Sequence, residues 1–256
     1  MSGLRPAIAA HRGGAREVVE NSLAAFRYAA GLGVEQVEFD VHRTADGALV
    51  VLHDATLERT TTGSGPVGTL RLDELRSLRL RDAPAETVPT LEEVLELLAP
   101  TPLGLRIEIK PGPDFARYPG IEPQLVAALR RFGLLERTVV TSFLLPVLVD
   151  AARAGAPARL WLVAPLVQAS LGTAEALARH AREAEVGELG LHIDHLDTAW
   201  VSALRSAGLE VGAWAAHEDE QIDKALALDL AVFTTDRPKA ALALRAARLA
   251  SRPAER

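Results

Sequence analysis

Short apolar segments alternate with helical segments along almost the whole chain, and this alternation limits the possible folds more than any other feature. Strands joined by intervening helices run parallel in one sheet. Eight such units in 256 residues predict an α/β fold, a (β/α)₈ TIM barrel forming a single domain over residues 1–256. The predicted strands are residues 7–10, 36–41, 103–109, 138–142, 159–163, 188–192, 209–214 and 230–234.

One segment, residues 55–88, breaks the alternation. It is rich in Thr, Gly, Arg and Leu, and it contains T-T-T-G-S-G-P and an L-x-x-L spacing. Its arginines alternate with acidic residues, which is more typical of a solvated face than of a binding surface. We expect a small insertion after the second strand, with a short helix of its own, that lies over the barrel mouth.

Residues 37–54 read V-E-F-D-V-H-R-T-A-D-G-A-L-V-V-L-H-D and predict a hairpin. Side chains alternate between faces along a strand, so Glu38 and Asp40 point the same way. Two carboxylates this close repel each other unless a cation or a proton lies between them. The turn at Ala45–Gly47 would return the chain to His53 and Asp54. Two solvated acids on an edge strand are the alternative interpretation.

The barrel prediction can be tested, because the chemistry of this fold lies at the C-terminal ends of its strands. Candidate site residues from separate parts of the sequence fall at those ends. They are His11 and Arg12 at the first strand, Glu38 and Asp40 at the second, His53 after the hairpin, Glu108 and Lys110 at the third, Ser142 and Phe143 at the fourth, and Trp214 at the seventh.

These residue types indicate metal-assisted cleavage of a phosphoester. The carboxylates of Glu38, Asp40 and Glu108 suit one divalent cation, Mg²⁺ or Ca²⁺, with Mn²⁺ as a further candidate, rather than zinc. Arg12 and Lys110 favour an anionic substrate. Two histidines, His11 and His53, can act as general acid and general base. Taken alone, His11 could equally be a structural histidine and Trp214 a core residue, and we interpret His42, His180, His192 and His195 as structural or surface residues.

The composition excludes several classes of protein. A net charge of −6 argues against nucleic acid as a partner, because the phosphate backbone requires a basic surface. There is no cysteine, which excludes disulfides, thiolate metal sites and a cysteine nucleophile. No apolar stretch approaches the ~20 residues of a membrane helix, and the N-terminal apolar run is too short for a signal peptide. We therefore expect a cytoplasmic protein, of open oligomeric state.

The motifs together resemble those of the glycerophosphodiester phosphodiesterase family, in the right order over nearly the whole chain. They are H-R-G at 11–13, E-N-S at 20–22, E-F-D-V at 38–41, T-A-D-G and V-V-L-H-D within 44–54, P-T-L-E-E at 89–93, E-I-K at 108–110, T-S-F at 141–143, A-G…W at 207–214 and T-D-R-P at 235–238.

The resemblance implies an enzyme of glycerol and lipid metabolism that hydrolyses glycerophosphodiesters to sn-glycerol 3-phosphate and an alcohol. It implies Glu38, Asp40 and Glu108 as metal ligands and His11 and His53 as the acid–base pair. It also implies that Arg12 and Lys110 bind the phosphate, that Trp214 lines the pocket, and that the insertion caps the barrel. Alternatives are a lysophospholipase D-like or other phosphodiesterase on the same scaffold, or a non-catalytic barrel that binds a phosphate ligand.

The chain departs from the family pattern after the tryptophan. Where the family usually has W-T-V-N, this sequence has W-A-A-H, Trp214 to His217. The departure removes a hydroxyl and an amide from the outer substrate contacts and leaves the catalytic residues unchanged.

Overall fold

The computed structural model describes residues 6–250, and nine strands in these residues form one sheet. Eight of them pair in parallel, and the first pairs with both the second and the last, so the sheet closes into a barrel. The predicted (β/α)₈ barrel is therefore confirmed. The strands are β1 Ala7–His11, β2 Gln36–Arg43, β3 Leu49–Val51, β4 Gly104–Ile109, β5 Thr138–Ser142, β6 Ala158–Val163, β7 Glu188–His192, β8 Glu210–Trp214 and β9 Val232–Thr235.

Ten α-helices lie within the same residues, and they pack around the barrel or beside its mouth. They are α1 Leu23–Leu32, α2 Leu72–Ser77, α3 Leu91–Leu98, α4 Ile121–Arg131, α5 Leu145–Ala154, α6 Pro165–Leu171, α7 Ala174–Glu183, α8 Thr198–Ser206, α9 Asp219–Ala227 and α10 Pro238–Ala250. Between residues 6 and 250, every helix falls short of the length and apolar character that crossing a bilayer requires.

The predicted strand bounds lie within two residues of those of the structure, and two features need an explanation. β2 runs to Arg43, two residues beyond the prediction, because its last residues leave the barrel and pair antiparallel with β3. The sequence also gave no reason to expect α6, which lies between β6 and α7. Seven residues are too few to show a clear helical repeat of apolar positions.

The strands bury one face against the helices and turn the other into the barrel. On β2, Val37, Phe39 and Val41 are fully buried in the main core, where the Phe39 ring packs edge-on against Phe26 of α1 at 5.3 Å. Glu38 and Asp40 alternate with them and therefore point into the barrel. The apolar face thus anchors the strand while the acidic face is presented to the interior.

The insertion has a small hydrophobic core of its own. Its members are fully or almost fully buried aliphatic side chains, together with two residues of the hairpin: Val50, Leu52, Leu57, Val67, Leu75, Leu80 and Val88. The insertion contains the short helix α2, as predicted. It packs on β3 and so holds the returning strand of the hairpin in place.

Candidate active site

Three carboxylates meet at the C-terminal end of the barrel. Glu38 and Asp40 come from β2, and Glu108 of β4 lies directly beside Asp40 in the parallel register. Glu38 and Glu108 are each 5% exposed and Asp40 is fully buried, and one oxygen from each lies within 4.8 Å of the others. The barrel thus forces together three acids that the sequence separates by up to 70 residues.

Lys110 partly compensates this negative charge. Its Nζ lies 2.7 Å from Glu108 Oε1 and 3.1 Å from Asp40 Oδ1. Burial and the neighbouring Asp40 raise the pKa of Glu38 to about 7. Burial likewise raises the pKa of Glu108. Burial acts in the same direction on Asp40, but Lys110 and Arg12 outweigh it and hold the pKa of that carboxyl well below its usual range.

The cluster fits a hard divalent cation. All three donors are carboxylate oxygens, which Mg²⁺, Ca²⁺ and Mn²⁺ prefer. Asp40 Oδ1 is buried and accepts no hydrogen bond of good geometry from the part of the chain that the structure describes, although Lys110 lies nearby. A buried carboxylate oxygen without such a partner is costly, and a bound cation would remove that cost.

His11 stands at the end of β1, next to this cluster. Its Nδ1 lies 2.5 Å from Asp236 Oδ1, so Nδ1–H donates to a carboxylate that immediately follows β9. Its Nε2 lies 3.8 Å from Glu38 Oε2. Burial acts to lower the pKa of His11, but Glu38 and Asp236 outweigh it and the pKa is raised.

His53 lines the same cavity as His11 and is supported in the same way. Its Nδ1 lies 2.6 Å from the carboxylate of its neighbour Asp54. Arg59, in the insertion, donates to Asp54 over 2.6 Å and to Glu20 over 2.7 Å. Burial lowers the pKa of His53. The insertion therefore reaches the site through Arg59, and none of residues 55–88 lines the cavity at the barrel mouth.

The loop after β1 needs unusual backbone conformations. Arg12 has φ 50° and donates its backbone N–H to Glu38 Oε2 over 3.2 Å, while its side chain reaches Glu20 over 2.9 Å. Gly13 has φ 82°, and a Cβ there would lie 2.6 Å from the Cβ of Ala25. Only glycine fits this approach to α1, which explains the glycine of the H-R-G motif.

The E-N-S motif supports the same loop. Asn21, at φ 54°, donates from Nδ2 to Asp40 Oδ2 over 3.0 Å. Ser22 caps α1, since its Oγ accepts the backbone N–H of Ala25 over 3.0 Å. The start of α1 is thereby tied to a carboxylate of the cluster.

A cavity of about 230 Å³ opens beside the cluster, and all of His11, Arg12, Glu38, His53, Glu108, Lys110 and Trp214 line it. The Trp214 ring packs edge-on against Phe143 at 5.5 Å and against His192 at 4.5 Å. Among residues 6–250, the buried atoms Trp214 Nε1 and Thr141 Oγ1, both of lining residues, have no hydrogen-bond partner. Two unpaired polar atoms at one cavity indicate a ligand with polar groups of its own.

The structure brings together all the strand-end residues that the sequence placed in the site except Ser142: Asp40 belongs to the acidic cluster, and the seven residues named above and Phe143 line the cavity. Ser142 is instead a structural residue, because its buried Oγ donates to the carbonyl of Ile109. His42 is buried and structural, as expected: its Nε2 donates to the carbonyl of His53 over 3.0 Å.

Sequence reasoning missed Asp236 and the position of His217. Asp236 N–H donates to His217 Nδ1 over 3.0 Å, and the His217 ring stacks on His11 with 5.6 Å between ring centres. Asp236 belongs to T-D-R-P and directly follows the eighth barrel strand. The strand-end rule that found the other residues would also have found this one.

Comparison with known proteins gives a consistent result. The model of the glycerophosphoryl diester phosphodiesterase family matches residues 11–240. A glycerophosphodiester phosphodiesterase of Caldanaerobacter subterraneus subsp. tengcongensis is 40% identical over 145 residues, which are 55% of this chain and 59% of the relative. One from Bacillus altitudinis is 37% identical over 142 residues, 53% of this chain and 57% of the relative. The matches thus span little more than half of these curated relatives.

Solved structures match over nearly the full chain. A candidate glycerophosphoryl diester phosphodiesterase of Agrobacterium tumefaciens has a TM-score of 0.93 at 40% identity, covering 96% of this chain and 100% of that one. A phosphodiesterase of Oleispira antarctica, solved with the product sn-glycerol-3-phosphate, has a TM-score of 0.76 at 26% identity, covering 94% and 96%.

Proposed function

The chain belongs to the glycerophosphoryl diester phosphodiesterase family, and from this premise we propose that it hydrolyses glycerophosphodiesters to sn-glycerol 3-phosphate and an alcohol. The observation that carries the proposal is the arrangement of two histidines around one acidic cluster. Each histidine is bound through Nδ1 to a carboxylate, and both line the same cavity. Such an arrangement suits cleavage of a phosphodiester, which needs charge neutralisation, a base and an acid.

Glu38, Asp40 and Glu108 would hold one divalent cation, either Mg²⁺ or Ca²⁺, with Mn²⁺ the third candidate. Bound there, the cation would neutralise charge on the phosphate and make the attacking hydroxyl more acidic. The buried carboxylates supply the oxygen ligands, and Asn21 and Lys110 fix the orientation of Asp40. Residues that orient a ligand in this way are typical of metal sites in proteins.

Arg12 and Lys110 would bind the phosphate. Both side chains are largely buried and line the cavity, and both form ion pairs with the acidic cluster. Ion pairing fixes their position before substrate arrives, so little side-chain entropy is lost on binding. Their positive charges attract the anionic diester in a low-dielectric setting, where charge interactions are strong.

His11 and His53 would move protons at Nε2. In both rings Nδ1–H is engaged by a carboxylate, which leaves Nε2 free to accept or deliver a proton. One ring removes the proton of the attacking water or neighbouring substrate hydroxyl, and the other protonates the departing alcohol. Asp236 and Asp54 act as positioning residues, since each fixes the orientation and tautomer of its histidine.

The carbon skeleton of the substrate would contact the apolar side chains that line the cavity, among them Phe143, Leu160, Leu162 and Trp214. The buried atoms Trp214 Nε1 and, beside Glu108 in the barrel register, Thr141 Oγ1 have no hydrogen-bond partner among residues 6–250. Both can hydrogen-bond to glycerol hydroxyls. A cytoplasmic location and a role in glycerol and lipid metabolism complete the proposal.

The test is release of sn-glycerol 3-phosphate from a panel of glycerophosphodiesters that differ in their alcohol, with and without a chelator. We expect turnover that the chelator abolishes and added Mg²⁺, Ca²⁺ or Mn²⁺ restores. Binding of glycerol phosphates without any turnover, in the presence of each cation, would favour a non-catalytic barrel instead. The complete set of two histidines, three acids and Lys110 supports an enzyme.

A further inference from the structure

His217 follows a strained turn at the end of β8 and lines the active-site cavity. Ala215, the residue after Trp214, has φ 63°, a left-handed conformation that is costly for a residue with a Cβ. A residue keeps such a conformation only where its surroundings hold it, and this kind of strain concentrates at functional sites. Both Ala215 and His217 line the cavity. The strained backbone thus brings this histidine to the place where substrate would bind.

Four contacts fix the position of His217. Its backbone N–H donates to Gln221 Oε1 over 3.1 Å, and its carbonyl accepts from Arg237 Nη1 over 3.3 Å. The ring nitrogen Nδ1 accepts the backbone N–H of Asp236 over 3.0 Å. The ring itself stacks on that of His11, with 5.6 Å between the centres and 28° between the planes. The side chain is therefore held in place before any substrate binds.

The hydrogen bond to Nδ1 determines which nitrogen of His217 carries the proton. A nitrogen that accepts an N–H has no proton of its own, so in the neutral ring the proton is on Nε2. Burial lowers the pKa of His217 to about 4, so the ring is neutral near neutral pH. Among residues 6–250, no group forms a hydrogen bond with this Nε2. His217 therefore has a neutral N–H donor that the described protein does not use.

This donor lies on the same side of the stacked rings as the free nitrogen of His11. Both rings turn Nδ1 toward Asp236, since His11 Nδ1 lies 2.5 Å from Oδ1 and His217 Nδ1 lies 3.4 Å from Oδ2. In each imidazole ring Nε2 is then directed away from Asp236. His11 Nε2 lies 3.8 Å from Glu38 of the acidic cluster. Two fixed rings thus direct their Nε2 atoms away from one shared carboxylate.

We propose that Nε2–H of His217 donates a hydrogen bond to an oxygen of the substrate phosphate, next to His11. The proposal rests on the proposed function, which places the phosphate at the acidic cluster beside Arg12 and Lys110. An Nε2–H group can only donate, and the unbridged oxygens of a phosphodiester can only accept. A donor fixed in place before the reaction stabilises the charge that develops on such oxygens.

The alternative is a purely structural role for His217, because its ring packs on His11. Packing and hydrogen bonding make opposite demands on a substitution at this position. Phenylalanine keeps an aromatic ring against His11 and removes the N–H donor. Glutamine removes the ring and keeps an N–H donor at about the reach of the histidine Nε2. The two substitutions therefore separate the two roles.

The first experiment compares His217→Phe with His217→Gln on glycerophosphocholine, with the divalent cation present. We expect His217→Phe to lower kcat/KM by about 10- to 100-fold, the loss typical of a hydrogen bond to a charged group. His217→Gln should recover most of this loss. The matched controls are His180→Phe and His180→Gln on α7, which should behave as the native chain. Full activity of His217→Phe would overturn the proposal, and a larger loss in His217→Gln would overturn it in favour of ring packing.

A binding measurement separates this proposal from the proposed function. Inorganic phosphate is titrated, with Mg²⁺ present, into the chain labelled with ¹⁵N at histidine, and the Nε2–H signal of His217 is identified by its loss in His217→Gln. We expect this signal to shift as phosphate binds, and the calorimetric affinity for phosphate to fall in His217→Phe but not in His180→Phe. These results would support the donor even if no diester were hydrolysed.

Three outcomes of this measurement would overturn the proposal. Saturation with phosphate without a shift would overturn it and leave the proposed hydrolysis intact. A shift with glycerol but not with phosphate would assign the donor to a glycerol hydroxyl instead. Absence of both phosphate binding and turnover in the native chain would overturn this proposal together with the proposed function.

Discussion

The two histidines of the site have the same chemical support but obtain it in different ways. In the His11 arm (His11, Asp236 and His217), the carboxylate partner is 225 residues away in sequence. In the His53 arm (His53, Asp54 and Arg59), the partner is the next residue, and an arginine of the insertion holds it. The first arm exists only because the last barrel strand returns beside the first. The second forms within one hairpin and its insertion.

Because the two arms are built differently, substitutions in them should have different effects on activity. The His11 arm depends on barrel closure, where β1 pairs with β9, and cannot move without disturbing the core. The His53 arm depends on partly exposed ion pairs, because the Arg59 side chain is 47% exposed. We therefore expect the His11 arm to be rigid and the His53 arm to be the more easily perturbed.

The largest effect should come from removing the divalent cation, because both arms would act on the substrate beside it. Chelation of the divalent cation should lower kcat by about a thousandfold or more, since a bound cation contributes several kcal/mol to transition-state stabilisation. Glu108→Gln should have a comparable effect while far-ultraviolet circular dichroism stays unchanged. Glu96→Gln, an exposed substitution on α3, is the control. Full activity in excess EDTA would contradict the metal site.

The second-largest loss of activity should come from removing either imidazole. We expect His11→Ala and His53→Ala each to lower kcat by about 10²–10⁴-fold, the usual contribution of an acid–base group. The exposed His195→Ala is the control, and a loss of less than about tenfold at either site would exclude that histidine from the mechanism. A p-nitrophenyl leaving group, which needs little protonation, should rescue only the variant that lacks the general acid. This result would assign the two roles.

Substituting the carboxylate partners tests the two arms separately. Asp236→Asn and Asp54→Asn should each lower kcat by about 10–100-fold with little change in KM, the scale at which carboxylates that orient histidines act. The asparagine amide can donate to Nδ1 and so stabilise the wrong tautomer of the ring. Asp223→Asn, an exposed ion-pair residue of α9, is the control. A change in KM alone would show that these residues bind substrate instead of orienting the histidines.

The smallest effect should come from Arg59, which reaches the His53 arm through Asp54 and also donates to Glu20. Arg59→Gln should lower kcat by up to about fivefold, because a partly exposed ion pair contributes about 1 kcal/mol or less. Combined with Asp54→Asn it should cause little further loss, whereas combined with Asp236→Asn the losses should multiply. Arg76→Gln, which removes another ion pair of the insertion, is the control. Additive losses in both double variants would show that Arg59 acts independently of the His53 arm.

Most of the barrel and the site residues could be predicted from sequence because they depend on local signals. Alternation along β2 put Glu38 and Asp40 on one face, and the rule of strand ends put them in the site. The insertion was recognised because it interrupted the alternation of strands and helices. α6 could not be found this way, since its apolar residues face solvent and its glutamine faces inward, which removes the signal that periodicity depends on.

The sequence by itself determined the fold class and the acidic face of β2. Both follow from the order of apolar and polar side chains along short segments, because strands and helices space those side chains in fixed ways. Only the tertiary structure decided that Asp236 supports His11, that Asp54 supports His53, and that Lys110 lies between Asp40 and Glu108. Such contacts depend on the closure of the barrel and on the register of its strands, which bring together residues that share no local signal.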